Sequence, residues 1–185
     1  MSRAVDAGFA DTVAYYDRYR LGYPDRLIAR LARLAGLRAG DAVLDLGCGT
    51  GMLAACFARA GMAVTAMDPE PEMLARARSG AEAAGLAMTF LAGGSKDLAP
   101  EMGPFRLVAM GRSFHWMDRA ATLSRLDQIV TEGGGVALFH DAHPPVEENG
   151  WFKILCDVQA RYRRDRRNGG HKRYEPFLFA SAFTE

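Results

Sequence analysis

Val43-Leu44-Asp45-Leu46-Gly47-Cys48-Gly49-Thr50-Gly51 decides how this chain is read. A short apolar run with one acid inside it leads into a segment where every second residue, Gly47, Gly49 and Gly51, is glycine. Glycine adopts positive φ at little cost and lets another group approach the main chain without meeting a Cβ. The residues that follow, MLAACFARAG from Met52, have helical character. The glycines therefore occupy a tight turn between a strand ending at Leu46 and a helix beginning after Gly51.

Downstream the same alternation repeats. AVLDL, AVTAM and LAMTFL read as strands, with MLAACFARAG and PEMLARARSGAEAAG as helices between them. Phe105–Met110 (FRLVAM) and Val136–His140 (VALFH) read as two further strands, joined by a helix from near Asp118 that ends by Gly133. Strands alternating with helices predict an α/β fold, a doubly wound parallel sheet with helices on both faces. The expected strand order is 3-2-1-4-5, with ligands bound at the carboxyl ends of the strands.

Upstream, Asp11 to Tyr19 reads as a tyrosine-rich helix and Gly22-Tyr23-Pro24 breaks it. A second helix carries Leu27, Ile28, Leu31 and Leu34 at helical spacing, with Pro24 and Asp25 in its first turn and Gly36 at its end. Its apolar face is expected to pack on the sheet. Beyond His140, Asn149 to Arg164 reads as a helix with Trp151, Phe152, Ile154, Leu155 and Val158, followed by the basic run Arg161–Arg173 and the apolar PFLFASAFTE. The expected organisation is a helical cap over the site at 1–36, an α/β core at 37–141 and a tail at 142–185.

Composition narrows the classes of function. The 185 residues are 49% hydrophobic, enough for one sizeable core, and the formal net charge is only +1. No overall field draws such a chain to nucleic acid or to an anionic membrane. Cys48, Cys56 and Cys156 lack metal spacing and suit reduced thiols. Neither a signal peptide nor a membrane helix is legible, so the expectation is a soluble, cytoplasmic protein without a metal.

The glycine turn suits one of two ligands. A dinucleotide site uses G-x-G-x-x-G with a pyrophosphate at the helix N-terminus. Here the spacing is G-x-G-x-G and Met52 follows the third glycine. Asp45 lies two residues before the first glycine, where a carboxylate repels a pyrophosphate and attracts a cation. S-adenosylmethionine carries a sulfonium and an ammonium, so the acid suits that cofactor and argues against a nicotinamide-binding oxidoreductase. A plainer role for Asp45, a charge interaction at the helix N-terminus, is compatible with this. Asp68 closes the second strand, where its carboxylate is able to accept both ribose hydroxyls. Pro69 and Met73 follow as neighbours of the adenine, and Gly93-Gly94-Ser95-Lys96-Asp97 forms the loop after the third strand. From that loop Ser95 and Lys96 are expected at the adenine edge.

Together these features resemble the class I S-adenosylmethionine-dependent methyltransferases, from about Phe9 to His140. Within them, YYDRYRLGYP and SFHWMD are similar to stretches of small-molecule methyltransferases of the trans-aconitate methyltransferase group, with Leu21 standing where proline is usual. The resemblance implies a Rossmann-like fold and methyl transfer to oxygen, nitrogen or carbon of a small acceptor. It implies that Tyr16 and Arg20 cover the methionine end of the cofactor, Arg20 near its carboxylate. Gly47, Cys48 and Gly49 of the turn and Gly111 at the end of the fourth strand complete the expected cofactor site.

His115, beside Trp116 past the fourth strand, is the candidate catalytic residue, as a general base on an acceptor hydroxyl. A packing or substrate-orienting histidine is the alternative. Tyr15, Tyr16 and Tyr19 form a lid or pack the first helix, and His140 and Asp141 end the fifth strand on the same edge. The acceptor is acidic if Arg161–Arg173 engages it; a solvated surface run is the plainer reading. The resemblance also implies an antiparallel pair of final strands that is not legible before Glu185. A truncated sheet would leave the fifth strand as an exposed edge open to self-association. A protein of this fold that binds the cofactor without methylating also fits the sequence.

Overall fold

In the computed structural model, residues 22–140 are described, together with 150, 153–154, 157–158 and 161. The chain divides into two units, Met1–His140 and Asp141–Glu185; the fold below is that of the first. The expected helices at Asp11–Tyr19 and, for most of its length, Asn149–Arg164 lie outside the described residues.

The ordered elements are α1 (Asp25–Leu34), β1 (Ala42–Leu46), α2 (Met52–Arg59), β2 (Ala63–Asp68), α3 (Pro71–Ala83), β3 (Thr89–Ala92), β4 (Phe105–Gly111), α4 (Arg119–Ile129) and β5 (Val130–Phe139). Short 3-10 turns at Ser95–Asp97, Pro100–Met102 and Phe114–Trp116 connect them. The sheet runs β3-β2-β1-β4-β5 and every pairing is parallel, as the alternation predicts. Because every pairing is parallel, the strand ends at Leu46, Asp68, Ala92 and Gly111 share one edge of the sheet.

Helix ends follow from local chemistry. At the end of α1, Leu37 N–H donates to Ala32 and Gly36 N–H to Arg33, the paired bonds that satisfy the last carbonyls of a helix. The ends of α2 and α3 repeat the pattern, from Met62 to Phe57 and from Leu86 to Ala81. At the start of α4 the Asp118 side chain accepts the Ala121 amide at 3.1 Å, a conventional N-cap.

One core cluster joins Ile28 of α1, Val43, the α2 residues Leu53 and Phe57, Val64, and Leu107 and Ala109 of β4. The apolar stripe expected on α1 needs correction. Ile28 is buried and Leu31 packs against the core, but Leu27 is 38% and Leu34 76% exposed. The stripe facing the sheet is narrower than the spacing of leucines implies.

A second correction concerns β5. The preceding helix ends at Ile129, and the strand begins at once at Val130, not Val136, and ends at Phe139, not His140. Between the pairs Phe105 with Val130 and Leu107 with Gly135 the ladder is irregular. Two steps of β4 are matched there by five of β5, so the Thr131–Gly134 segment bulges. The Arg106 side chain holds it by donating to Gly133, and also donates to Ala35 at the end of α1 at 3.0 Å.

Candidate cofactor and active site

The three turn glycines have separate jobs, read from what a Cβ would meet. On Gly51 it would lie 3.0 Å from the Ala77 Cβ, so this glycine lets α2 and α3 approach. On Gly47 it would lie 2.6 Å from the Ser113 Cβ. On Gly49, whose φ is +54°, it would meet nothing within 4 Å. Gly49 faces open space, and it is here that a ligand is able to reach the main chain.

Asp68 anchors the turn. Its Oδ2 accepts the Gly49 amide at 2.8 Å and its Oδ1 the Glu70 amide at 2.9 Å. Each oxygen keeps a further lone pair for a hydroxyl donor. Burial raises the Asp68 pKa above 3.8, while the Glu70 and Gly49 amides pull it back down. Gly47 and Cys48 amides both donate to Met67 at the end of β2. The turn is thus tied to the strand that carries the acid.

Asp45 is placed differently from Asp68. It is 1% exposed, and its Oδ2 accepts the Ala54 amide at 2.9 Å in the first turn of α2. Because the residue preceding the helix is Gly51, with no side chain to cap it, Asp45 supplies the missing acceptor from the strand. Its other oxygen, Oδ1, has no partner among the described residues, and neither has the buried Thr50 hydroxyl. Burial pushes the Asp45 carboxyl up to about 7, opposed by the Ala54 amide and reinforced by the Asp68 charge.

A cleft of about 680 Å³ lies along the strand ends, a size that suits a small ligand. Asp68, Pro69, Glu70, Met73, Gly94, Ser95 and Lys96 line its β2 and β3 side. Gly111, Arg112, Ser113, His115, Trp116 and Met117 line the β4 side, and Gly47 and Gly49 lie between. Asp97 is occupied in its own loop, accepting the Gly94 amide at 2.9 Å. A recess of about 30 Å³, whose lining includes Asp45, Cys48, Thr50, Tyr23 and Arg112, shares Gly47, Gly49, Gly111 and Arg112 with the cleft. Cys48 is buried and burial raises its thiol pKa. The expected contributors Asp45 and Cys48 therefore border the recess, whereas Gly47, Gly49, Asp68, Pro69, Met73, Ser95, Lys96, Gly111 and His115 border the cleft. Tyr16 and Arg20 lie outside the described residues.

Sequence reasoning missed Tyr23 and Arg112. Arg112 Nε donates to Tyr23 Oη at 3.0 Å, and its guanidinium carbon lies 4.6 Å from the centre of that ring. Tyr23 Oη fills the space a Cβ on Gly111 would need, so this glycine admits the tyrosine. The two residues are 89 positions apart. No motif flags them, although a bulky residue directly after a strand-end glycine was an available hint. On the outer side, His115 and Trp116 are exposed on a 3-10 turn with ring centroids 4.9 Å apart.

The residues at hand fit S-adenosylmethionine. Asp68 retains lone pairs for ribose hydroxyls, Gly49 leaves room against the main chain, and the unpartnered Asp45 Oδ1 suits an ammonium. Comparison with known proteins agrees. Residues 43–134 match the methyltransferase domain family. An uncharacterized methyltransferase of Mycobacterium tuberculosis is 31% identical over 160 residues, covering 86% of this chain and 61% of its own length. A ubiquinone biosynthesis O-methyltransferase of Methylocella silvestris is 34% identical over 125 residues, covering 62% of this chain and 49% of its own. The chain thus spans 49% to 61% of the length of these curated relatives. Among solved structures, the magnesium protoporphyrin IX methyltransferase of Synechocystis superposes with a TM-score of 0.62 at 19% identity, covering 85% of this chain and 78% of that one. A methyltransferase of Clostridium acetobutylicum gives 0.58 at 23% identity, covering 68% and 55%. These two likenesses establish the shared fold. Residues 43–134 form a methyltransferase domain with the fold of the class I S-adenosylmethionine-dependent methyltransferases. S-adenosylmethionine is the cofactor of this class.

Proposed function

We propose that this protein transfers a methyl group from S-adenosylmethionine to a small-molecule acceptor of the kind handled by the trans-aconitate methyltransferase group. The observation that carries the reading is the pairing of Gly49, open to the cleft, with Asp68, which holds its amide and faces the same space. When bound, the cofactor supplies a methyl carbon on a cationic sulfur, open to in-line attack.

The chain's own task is alignment and exclusion of water. In this reading Asp68 holds the ribose, Pro69 and Met73 flank the adenine, and Ser95 and Lys96 border its edge. The glycine turn lets the cofactor lie against the main chain. Tyr16 and Arg20 cover its methionine end. On the β4 side His115 accepts the proton of an acceptor hydroxyl or amine, and Trp116, 72% exposed at the rim, offers an aromatic face to the acceptor's apolar body.

Incubation with methyl-labelled cofactor and a panel of small carboxylic acids, phenols and amines, read by mass spectrometry, tests the activity. Transfer of the label to one acceptor class is the expected result. Cofactor binding without transfer to any of them would point to a protein that binds and does not methylate.

A further inference from the structure

Arg112 has φ +61°, the one non-glycine residue with positive φ among those described. Such a conformation costs free energy in a long side chain and persists where the surroundings hold it. Here they do. Its amide donates to Phe139 at 2.8 Å, Nε donates to Tyr23 Oη, and the guanidinium stacks on the Tyr23 ring. Tyr23 is itself braced edge-on against Phe139, 5.4 Å between centroids. The end of β5 and the lead-in to α1 thus fix one arginine at the place where the recess meets the cleft.

The recess is small and its chemistry is polarised. At about 30 Å³ it admits one small polar group. Its lining includes Asp45 and Thr50, whose buried Oδ1 and Oγ1 have no partner among the described residues. A group that donates hydrogen bonds and carries positive charge suits those acceptors, and a primary ammonium is such a group. Any anion attached beside that ammonium stays at the mouth, and Arg112 borders both spaces. Guanidinium recognises carboxylate through paired, charge-assisted hydrogen bonds.

We infer that Arg112 is a positioning residue for the cofactor: it binds the carboxylate of the amino-acid end while Asp45 and Thr50 take the ammonium, and Tyr23 holds the guanidinium in place. This rests on the S-adenosylmethionine reading of the cleft. It assigns to the end of β4 a contact that the sequence resemblance assigns to Arg20.

The experiment is calorimetric titration of the whole chain with S-adenosylhomocysteine, with its decarboxylated analogue, which keeps the ammonium, and with methylthioadenosine, which lacks both groups. Arg112→Asn is the informative variant because asparagine tolerates the left-handed backbone. It is expected to weaken S-adenosylhomocysteine by about 10- to 100-fold and leave the decarboxylated analogue and methylthioadenosine unchanged. Tyr23→Phe is expected to show a smaller loss with the same selectivity. Equal weakening of all three ligands would reduce Arg112 to a structural role and overturn the inference, as would a carboxylate-specific loss in Arg20→Gln but not in Arg112→Asn. Failure of the wild-type protein to bind S-adenosylhomocysteine at all would overturn the cofactor reading and the inference together.

Discussion

The Asp68 carboxylate holds the Gly49 amide at 2.8 Å, across 19 positions of sequence. That bond couples the acid at the end of β2 to the glycine that faces the open cleft. It makes the acid proposed to bind the ribose a structural part of the turn.

Asp68→Asn follows directly. The amide group keeps the size of the side chain but presents a donor where one oxygen now accepts a backbone N–H. Affinity for S-adenosylhomocysteine is expected to fall by about 100-fold, with loss of thermal stability as a second effect. Calorimetry and thermal denaturation, run on the same preparation, separate the two.

The turn glycines predict a division between binding and stability. Gly49→Ala places a methyl in open cleft space, so it should obstruct the cofactor while costing about 1–2 kcal/mol for the left-handed backbone. Gly51→Ala carries the same backbone cost and adds about 1–3 kcal/mol of overpacking against Ala77. Urea denaturation should rank Gly51→Ala as the less stable variant. Ligand titration at low temperature should rank Gly49→Ala as the weaker binder.

Asp45 predicts a pH dependence of stability. Its carboxyl moves from the ordinary 3.8 to about 7 in the fold because it is buried. The folded protein therefore keeps a proton that the unfolded chain releases, and this contribution is complete below 3.8 and lost as pH rises through about 7. Over that window wild-type stability should fall relative to Asp45→Asn by at most about 4 kcal/mol and run parallel above it. An ammonium ligand favours the ionised form, so binding below about pH 7 should release a proton. Titration in buffers of different ionisation enthalpy measures it.

His115 predicts a kinetic effect. In its proposed role as the group that accepts the acceptor's proton, replacing it by alanine should lower kcat by about 100-fold or more with cofactor affinity unchanged. A change confined to KM would make it an orienting residue instead.

Much of this was legible beforehand. AVLDL is a strand at the expected residues because an apolar-rich run enters a glycine turn, and the parallel pairing of the sheet follows from the alternation of strands and helices. Positions whose character depends on distant partners were not legible. The start of β5 lacks apolar alternation, since Thr131 to Gly134 bulge around Arg106, so it reads as a helix end. Leu27 and Leu34 have helical spacing but stay 38% and 76% exposed in the described fold. Tyr23 and Arg112 acquire their role only when the fold brings α1's lead-in against the end of β4. Asp45 reads from sequence both as an acid suited to a cation and as a charge at the helix N-terminus; what the fold adds is the bond itself, Oδ2 accepting the Ala54 amide where Gly51 has no side chain to cap α2.

The most direct test of the account is titration of wild-type protein and Asp68→Asn with S-adenosylhomocysteine, with NAD as control. Saturable binding of S-adenosylhomocysteine to the wild type, sharply weakened in the variant, and no binding of NAD is the predicted result. No binding by the wild type, or undiminished binding by Asp68→Asn, would contradict it.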